Sequence, residues 1–183
     1  MMDKIRNSWL ERQFVEGMAL AASSDVLGLV PVSGSPPDRY VARLDCCGLV
    51  MTDAGVAVAT QHLIGICFPE SYLRTPCNPG LVLSWLEPQS IFHPNIRAPF
   101  ICAGNIPVGM SLVNLIHQVF AIVTYQNFTP REDDALNKEA CAWARRNLDR
   151  FPVDPRRSIS TGARQSSRDL HSRDLPNKES LDG

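Results

Sequence analysis

A chain of 183 residues and 20.2 kDa has room for one domain and some further chain. It is 44% apolar and 20% charged, and its 18 basic against 19 acidic residues argue against the basic face a nucleic-acid binder needs to neutralise phosphates. No apolar run approaches the ~18 residues that cross a bilayer. Asp3, Lys4, Arg6, Glu11, Arg12 and Glu16 break up any signal-peptide core, so a soluble, cytoplasmic protein is expected.

In chain order, Lys4–Ala22 carries Leu10, Phe14, Gly17, Met18 and Ala21 on one face at helical spacing. A short apolar run, Val26–Val32, ends at the turn-forming Gly34-Ser35-Pro36-Pro37. Tyr40, Ala42, Leu44 and Cys46 then alternate with Val41, Arg43 and Asp45, the pattern of a half-buried strand. After a turn at Thr52–Gly55, residues 56–68 read as one long strand with Val56, Val58, Thr60, His62, Ile64, Ile66 and Phe68 on one face. A further strand is expected at Leu81–Leu86. Helical spacing returns in Leu112, Leu115, Ile116, Val119, Ile122 and Val123, with Ser111 placed to cap it. A last helix is expected from Ala135 to Leu148, with Asp133 and Asp134 at its positive end. The order α–β–β–β–β–α–α predicts an α+β domain over residues 1–151, an antiparallel meander with helices packed on it. Residues 152–183 hold six Ser, three Pro and no aromatic, and read as a flexible polar tail.

The six cysteines, at 46, 47, 67, 77, 102 and 141, contain no C-x-x-C, and no histidine pair has ligand spacing. No metal is expected, and the thiols read as reduced. Cys46 and Cys47 are a vicinal pair; Cys67, Cys77 and Cys141 read as small apolar filler. His62 and His117 read as structural, and Trp85 and Trp143 as core, while Trp9 lies off its helix's main stripe and is a candidate contact residue. Cys102 differs in its setting. It follows the irregular stretch Phe92-His93-Pro94-Asn95-Ile96 and precedes the flexible Gly104, where a scaffold would present functional groups. A thiol is partly ionised near neutrality and can accept and pass on an acyl group. Asn95, seven positions upstream, could point its amide at an oxyanion. On residue chemistry alone, inert packing and a nucleophile both remain open for Cys102.

The segments "PPDRYVARL", "IGICFPESYLRTP", "VLSW" and "FHPNI", followed by Cys102, then "GMSLVNLIHQVFAIV" and "EDDALNKEACAWARRN", resemble in order the core of ubiquitin-conjugating enzymes. The likeness covers roughly residues 4–150. It implies that fold and a carrier function: Cys102 would take a ubiquitin-like C-terminus as a thioester from an activating enzyme and pass it to a lysine. Asn95 matches the residue that supports the active-site loop and the oxyanion, and Asp134 the acidic gate for the incoming lysine. His93 and Pro94 match loop-fixing residues, with Tyr125 and Asn127 in the same rim. Lys4, Arg6, Trp9 and Arg12 lie on the helix that resembles the activating-enzyme surface. The implied partners are an activating enzyme and a ubiquitin-like modifier, with a ligase as an optional third. No cofactor is implied, and without a Gly-rich phosphate loop the chain is not expected to bind ATP. Cys102 follows Asn95 by seven residues where the family usually has eight. Ile106-Pro107-Val108 replaces the usual Trp-Ser-Pro, and Ala103 the usual leucine. Within the resemblance these departures imply a divergent member, with the prokaryotic ubiquitin-like conjugation type as one candidate. Two rivals stay beside this reading: a non-catalytic binding module of the same fold, and a cysteine hydrolase using Cys102 and His93.

Overall fold

The computed structural model describes residues 2–159. A long helix, α1 (Met2–Ala22), leads into β1 (Leu27–Gly34) and β2 (Pro37–Leu44). A hairpin of β3 (Gly48–Thr52) and β4 (Gly55–Ala59) follows, then β5 (His62–Cys67), a single helical turn α2 (Pro79–Val82) and β6 (Leu83–Glu87). The short pair β7 (Ile96–Arg97) and β8 (Phe100–Ile101) precedes α3 (Leu112–Val123) and α4 (Lys138–Arg146). The architecture is α+β: an N-terminal helix and a four-stranded antiparallel sheet ordered β1-β2-β5-β6, with helices against it. None of the described helices is long and apolar enough to cross a membrane.

Register explains the buried face. Tyr40 faces Ile66, Ala42 faces Ile64 and Leu44 faces His62 across β2 and β5, and all six are buried. Period-two alternation placed these side chains on one side, where the apolar ones form one buried cluster with residues of α1 and α3. Helix α1 approaches α3 at Gly17, where a Cβ would come within 2.7 Å of Leu112. From the same helix Gln13 reaches across, its Oε1 accepting the Leu112 N–H at 2.9 Å. That bond satisfies one orphan amide at the start of α3, and Ser111 caps another by accepting from Asn114.

Four expectations need correction. The strand expected over 56–68 is two, broken at Thr60-Gln61 and divided between sheets. Alternation continues in phase across the break, but Val58 and Thr60 are exposed whereas His62, Ile64, Ile66 and Phe68 are buried. β4 instead folds back on β3, an element the sequence reading missed, through the turn at Gly55 (φ +107°), where Thr52 Oγ1 donates to the Gly55 carbonyl. The run at 81–86 opens as a helical turn because Pro79 suits a first helical position and Asn78 caps it. The last helix starts at Lys138, capped by Asn137, whose Oδ1 accepts the Ala140 N–H at 3.0 Å. Finally, residues 152–159, assigned by composition to the tail, pack on the domain. Asp154 and Ile159 are fully buried, and the Val153 N–H donates to the Thr124 carbonyl at 3.0 Å. The rest of the expected tail, 160–183, lies outside the described residues.

The core has two parts. The larger fills the space between α1, α3 and the main sheet, with Trp85, Tyr40, Phe68 and Phe120 among its largest buried side chains. The smaller gathers Leu49, Phe92, Tyr125, Ala140 and Ala144, flanked by Phe128, Trp143 and Phe151. The stretch Phe92–Cys102 runs beside this second cluster.

Candidate active site

Cys102 follows directly on β8 and is half-buried. Its neighbours Ile101 and Ala103 are buried, so the chain is pinned on either side of the thiol. The tie to Asn95 runs both ways. The Cys102 N–H donates to the Asn95 carbonyl at 2.7 Å, and Asn95 Nδ2 donates to the Cys102 carbonyl at 3.2 Å. Asn95 also binds Thr129: its Oδ1 accepts the Thr129 N–H at 2.7 Å, and its Nδ2 donates to Thr129 Oγ1 at 2.9 Å. An amide nitrogen has two hydrogens, and both are engaged. Asn95 is therefore a clamp in this state, joining the cysteine loop to the segment after α3. Beyond the thiol, Gln118 Nε2 from α3 donates to the Ala103 carbonyl. Then the chain turns at Gly104, whose φ of +70° favours a residue without a Cβ.

His93 is sealed under this loop. It is fully buried, and its Nδ1 accepts the Asn95 N–H at 3.0 Å. Nε2 therefore carries the proton, turned toward the Ile122 carbonyl without completing a hydrogen bond. Burial disfavours the charged ring and lowers its pKa to about 3, against a smaller opposing pull from that carbonyl. A neutral imidazole whose only acceptor nitrogen is occupied cannot take a proton from Cys102. This geometry counts against the hydrolase pairing of Cys102 with His93. Pro94 is buried, and its carbonyl accepts N–H groups from Leu136 at 2.9 Å and Asn137 at 3.2 Å. The His-Pro-Asn triplet thus ties the cysteine loop to the start of α4.

Tyr125 underlies both. Its ring lies 4.2 Å from that of His93, centroid to centroid, and its hydroxyl donates to the Phe92 carbonyl. Burial raises the phenol well above its ordinary range, so it remains a neutral donor. Its backbone is left-handed, at φ +60°, which a bulky side chain holds only under constraint. Asn127 is on the exposed rim, its backbone N–H donating to the Ala121 carbonyl at 2.9 Å.

Asp134 is exposed, in the turn before α4, and its carboxylate lies 3.6 Å from Arg131 Nε. Asp133 binds the same guanidinium more closely, at 2.6 Å. The pairing with Arg131, not helix-start placement, describes these two acids. Among the described residues, no group of three or more His, Cys, Asp or Glu is placed to hold a metal ion.

The four residues assigned to a partner surface on α1 divide into two kinds. Lys4 and Arg12 are exposed and line a shallow groove of about 450 Å³ with Ile5, Ser8 and Trp9. Arg6 is committed inward, donating to the Phe68 carbonyl at 2.8 Å and pairing with Asp38 at 3.3 Å. Trp9 meets Phe68 edge-on at 4.9 Å and Tyr72 at 5.4 Å, so one side of it belongs to the core. Sequence reasoning missed Thr129, Gln118 and Phe151. A glutamine inside the apolar α3 run was a usable signal for Gln118; nothing in the pattern marked Thr129.

No family model matches this chain, and no curated protein is significantly similar to it.

Proposed function

We propose that the chain is a ubiquitin-conjugating-enzyme-like acyl carrier, with Cys102 as the thioester-forming residue. One observation carries this reading: the two-way clamp between Asn95 and Cys102 holds a half-exposed thiol at the end of a strand, on a loop fixed by a His-Pro-Asn triplet. A carrier needs a nucleophile that is accessible and held still, with no base beside it to hydrolyse the product. The element order and the collinear motifs agree with that family.

In the charging step the Cys102 thiolate attacks the thioester carbonyl of a modifier held on an activating enzyme. A new S–C bond forms, and the donor thiolate leaves. In discharge a lysine amine attacks the Cys102 thioester, the sulfur leaves as thiolate, and the amine loses a proton to solvent. The oxyanion of that step needs donors. Asn95 Nδ2 becomes one only by releasing the Cys102 carbonyl or Thr129 Oγ1, so local adjustment accompanies transfer. Asp134, freed from Arg131, is the nearest match to a group that steers the incoming amine.

The test is incubation with ATP, an activating enzyme and candidate modifiers, read by intact mass and non-reducing gel. A thiol-labile adduct that disappears in Cys102→Ala supports the carrier. An adduct that persists in that variant, or none with any donor, sinks it. The saturated Asn95 amide favours one alternative, a non-catalytic module of the same fold that holds a ubiquitin-like protein; non-covalent binding without charging is its signature.

A further inference from the structure

The chain after α4 returns across the domain as a strap, and its aromatic residue packs on Tyr125, the residue beneath the cysteine loop. Phe151 stacks on Tyr125 with centroids 4.5 Å apart and planes 6° from parallel. It also touches Phe128 at 5.4 Å and Trp143 at 6.2 Å. Tyr125 is the constrained residue of the site, left-handed at φ +60°. Such a conformation persists only when its surroundings over-determine it. Here those surroundings are the Phe92 carbonyl at the hydroxyl, the His93 ring, and the Phe151 ring stacked on Tyr125.

The strap is itself firmly anchored. The Asp154 carboxylate is fully buried and accepts the Cys47 N–H at 2.7 Å, along with the Arg156 N–H at 2.9 Å. Arg156 completes the ion pair at 2.7 Å and donates to the Asp45 carbonyl at 3.0 Å. Ile159 enters the main core, with its carbonyl accepting from Ser24 Oγ at 2.7 Å. Phe151 is thus held by residues far from the site it supports.

We propose that Phe151 is a positioning residue for the Cys102 site. It fixes Tyr125, which packs on His93, whose Nδ1 in turn accepts the backbone N–H of Asn95, the residue clamped to Cys102 through its carbonyl and side-chain Nδ2. Its bearing on transfer chemistry rests on the carrier reading; its bearing on loop order does not.

Hydrogen exchange on the full chain tests the second directly. In Phe151→Ala, exchange at the Asn95 and Cys102 amides rises about tenfold, while amides of β2 and β5 keep their protection. Phe151→Tyr keeps the ring and restores protection. If Phe151→Ala does not fold, Phe151→Leu keeps apolar volume without the stack and gives the same pattern. Unchanged exchange at 93–102, or a loss shared equally by the central sheet, overturns the inference. Where the wild type charges, discharge of preformed thioester to free lysine slows about fivefold in Phe151→Ala. A wild type that never charges ends the carrier reading and leaves the exchange result to decide this one.

Discussion

Asn95→Ala separates a clamp from a bystander. The side chain makes three hydrogen bonds, to the Thr129 N–H at 2.7 Å, Thr129 Oγ1 at 2.9 Å and the Cys102 carbonyl at 3.2 Å. At ~0.5–1.5 kcal/mol net each, they sum to about 3 kcal/mol. Asn95 is only half-buried, so water replaces part of this, and about 2 kcal/mol is the expected loss. For a domain of this size that lowers Tm by about 4–8 °C, measurable by calorimetry or circular dichroism. Asn95→Asp divides the effect. It keeps the acceptor for the Thr129 N–H but turns a carboxylate oxygen toward the Cys102 carbonyl. Its melting loss is expected to be smaller, with the cysteine side of the loop selectively opened. In single-turnover assays, Asn95→Ala should charge nearly as the wild type does and discharge more slowly. An Asn95→Ala protein melting within about 1 °C of wild type would refute the clamp.

Cys102→Ser is expected to trap the modifier as an oxyester that resists thiols, with stability changed by less than ~0.5 kcal/mol, because the side chain is half-exposed and the change small; intact mass before and after thiol treatment checks it. Gly48→Ala is expected to cost about 1–3 kcal/mol in denaturant melts. Its Cβ would lie 2.8 Å from the His62 ring and 3.1 Å from Val123, both buried. Acid should unfold the domain in a defined window. Burial lowers His62 to about 4 and His93 to about 3 from an ordinary 6.5, so the unfolded chain binds protons first as pH falls. Their contribution is complete above about pH 6.5 and is lost on descent toward pH 3 to 4. Asp154 adds to the loss below about pH 4: burial alone would raise it, but Arg156 and two backbone N–H groups outweigh that and hold it at about 2. A Tm unchanged between about pH 7 and pH 4 would contradict the two histidines.

Helices α1 and α3 and the core face of the main sheet were legible because each is written in a single period. Leu112 to Val123 carries its stripe and its Ser111 cap within one segment. Tyr40 to Leu44 carries its alternation in the same way. What failed needed a comparison between segments. Val56–Phe68 alternates without a flaw, and only tertiary pairing tells the hairpin strand β4 from the central strand β5. Composition misplaced residues 152–159 for a similar reason. One buried aspartate paired with a half-exposed arginine, and one isoleucine in the core, anchor a segment that averages as polar. At the site, the loop residues were legible through motif order, but their partners were not. Thr129 lies 34 positions from Asn95, and no local pattern records a bond across that distance.

The reach of His93 bears most directly on what Cys102 does. A cysteine hydrolase needs a base that takes the thiol proton and later returns it to a leaving group or water. Here the histidine nearest in sequence spends its acceptor nitrogen on the Asn95 amide and has no solvent exposure. Its ring is also fixed against Tyr125. Moving it toward Cys102 would break the bond that aligns the loop, so gaining a base would cost the nucleophile its position. A carrier faces no such conflict. Its substrate arrives already activated as a thioester, and a base beside the sulfur would favour the hydrolysis that wastes it. On the carrier reading proposed above, the burial that withholds His93 as a proton acceptor is the feature that would let Cys102 hold an acyl group and wait for an amine.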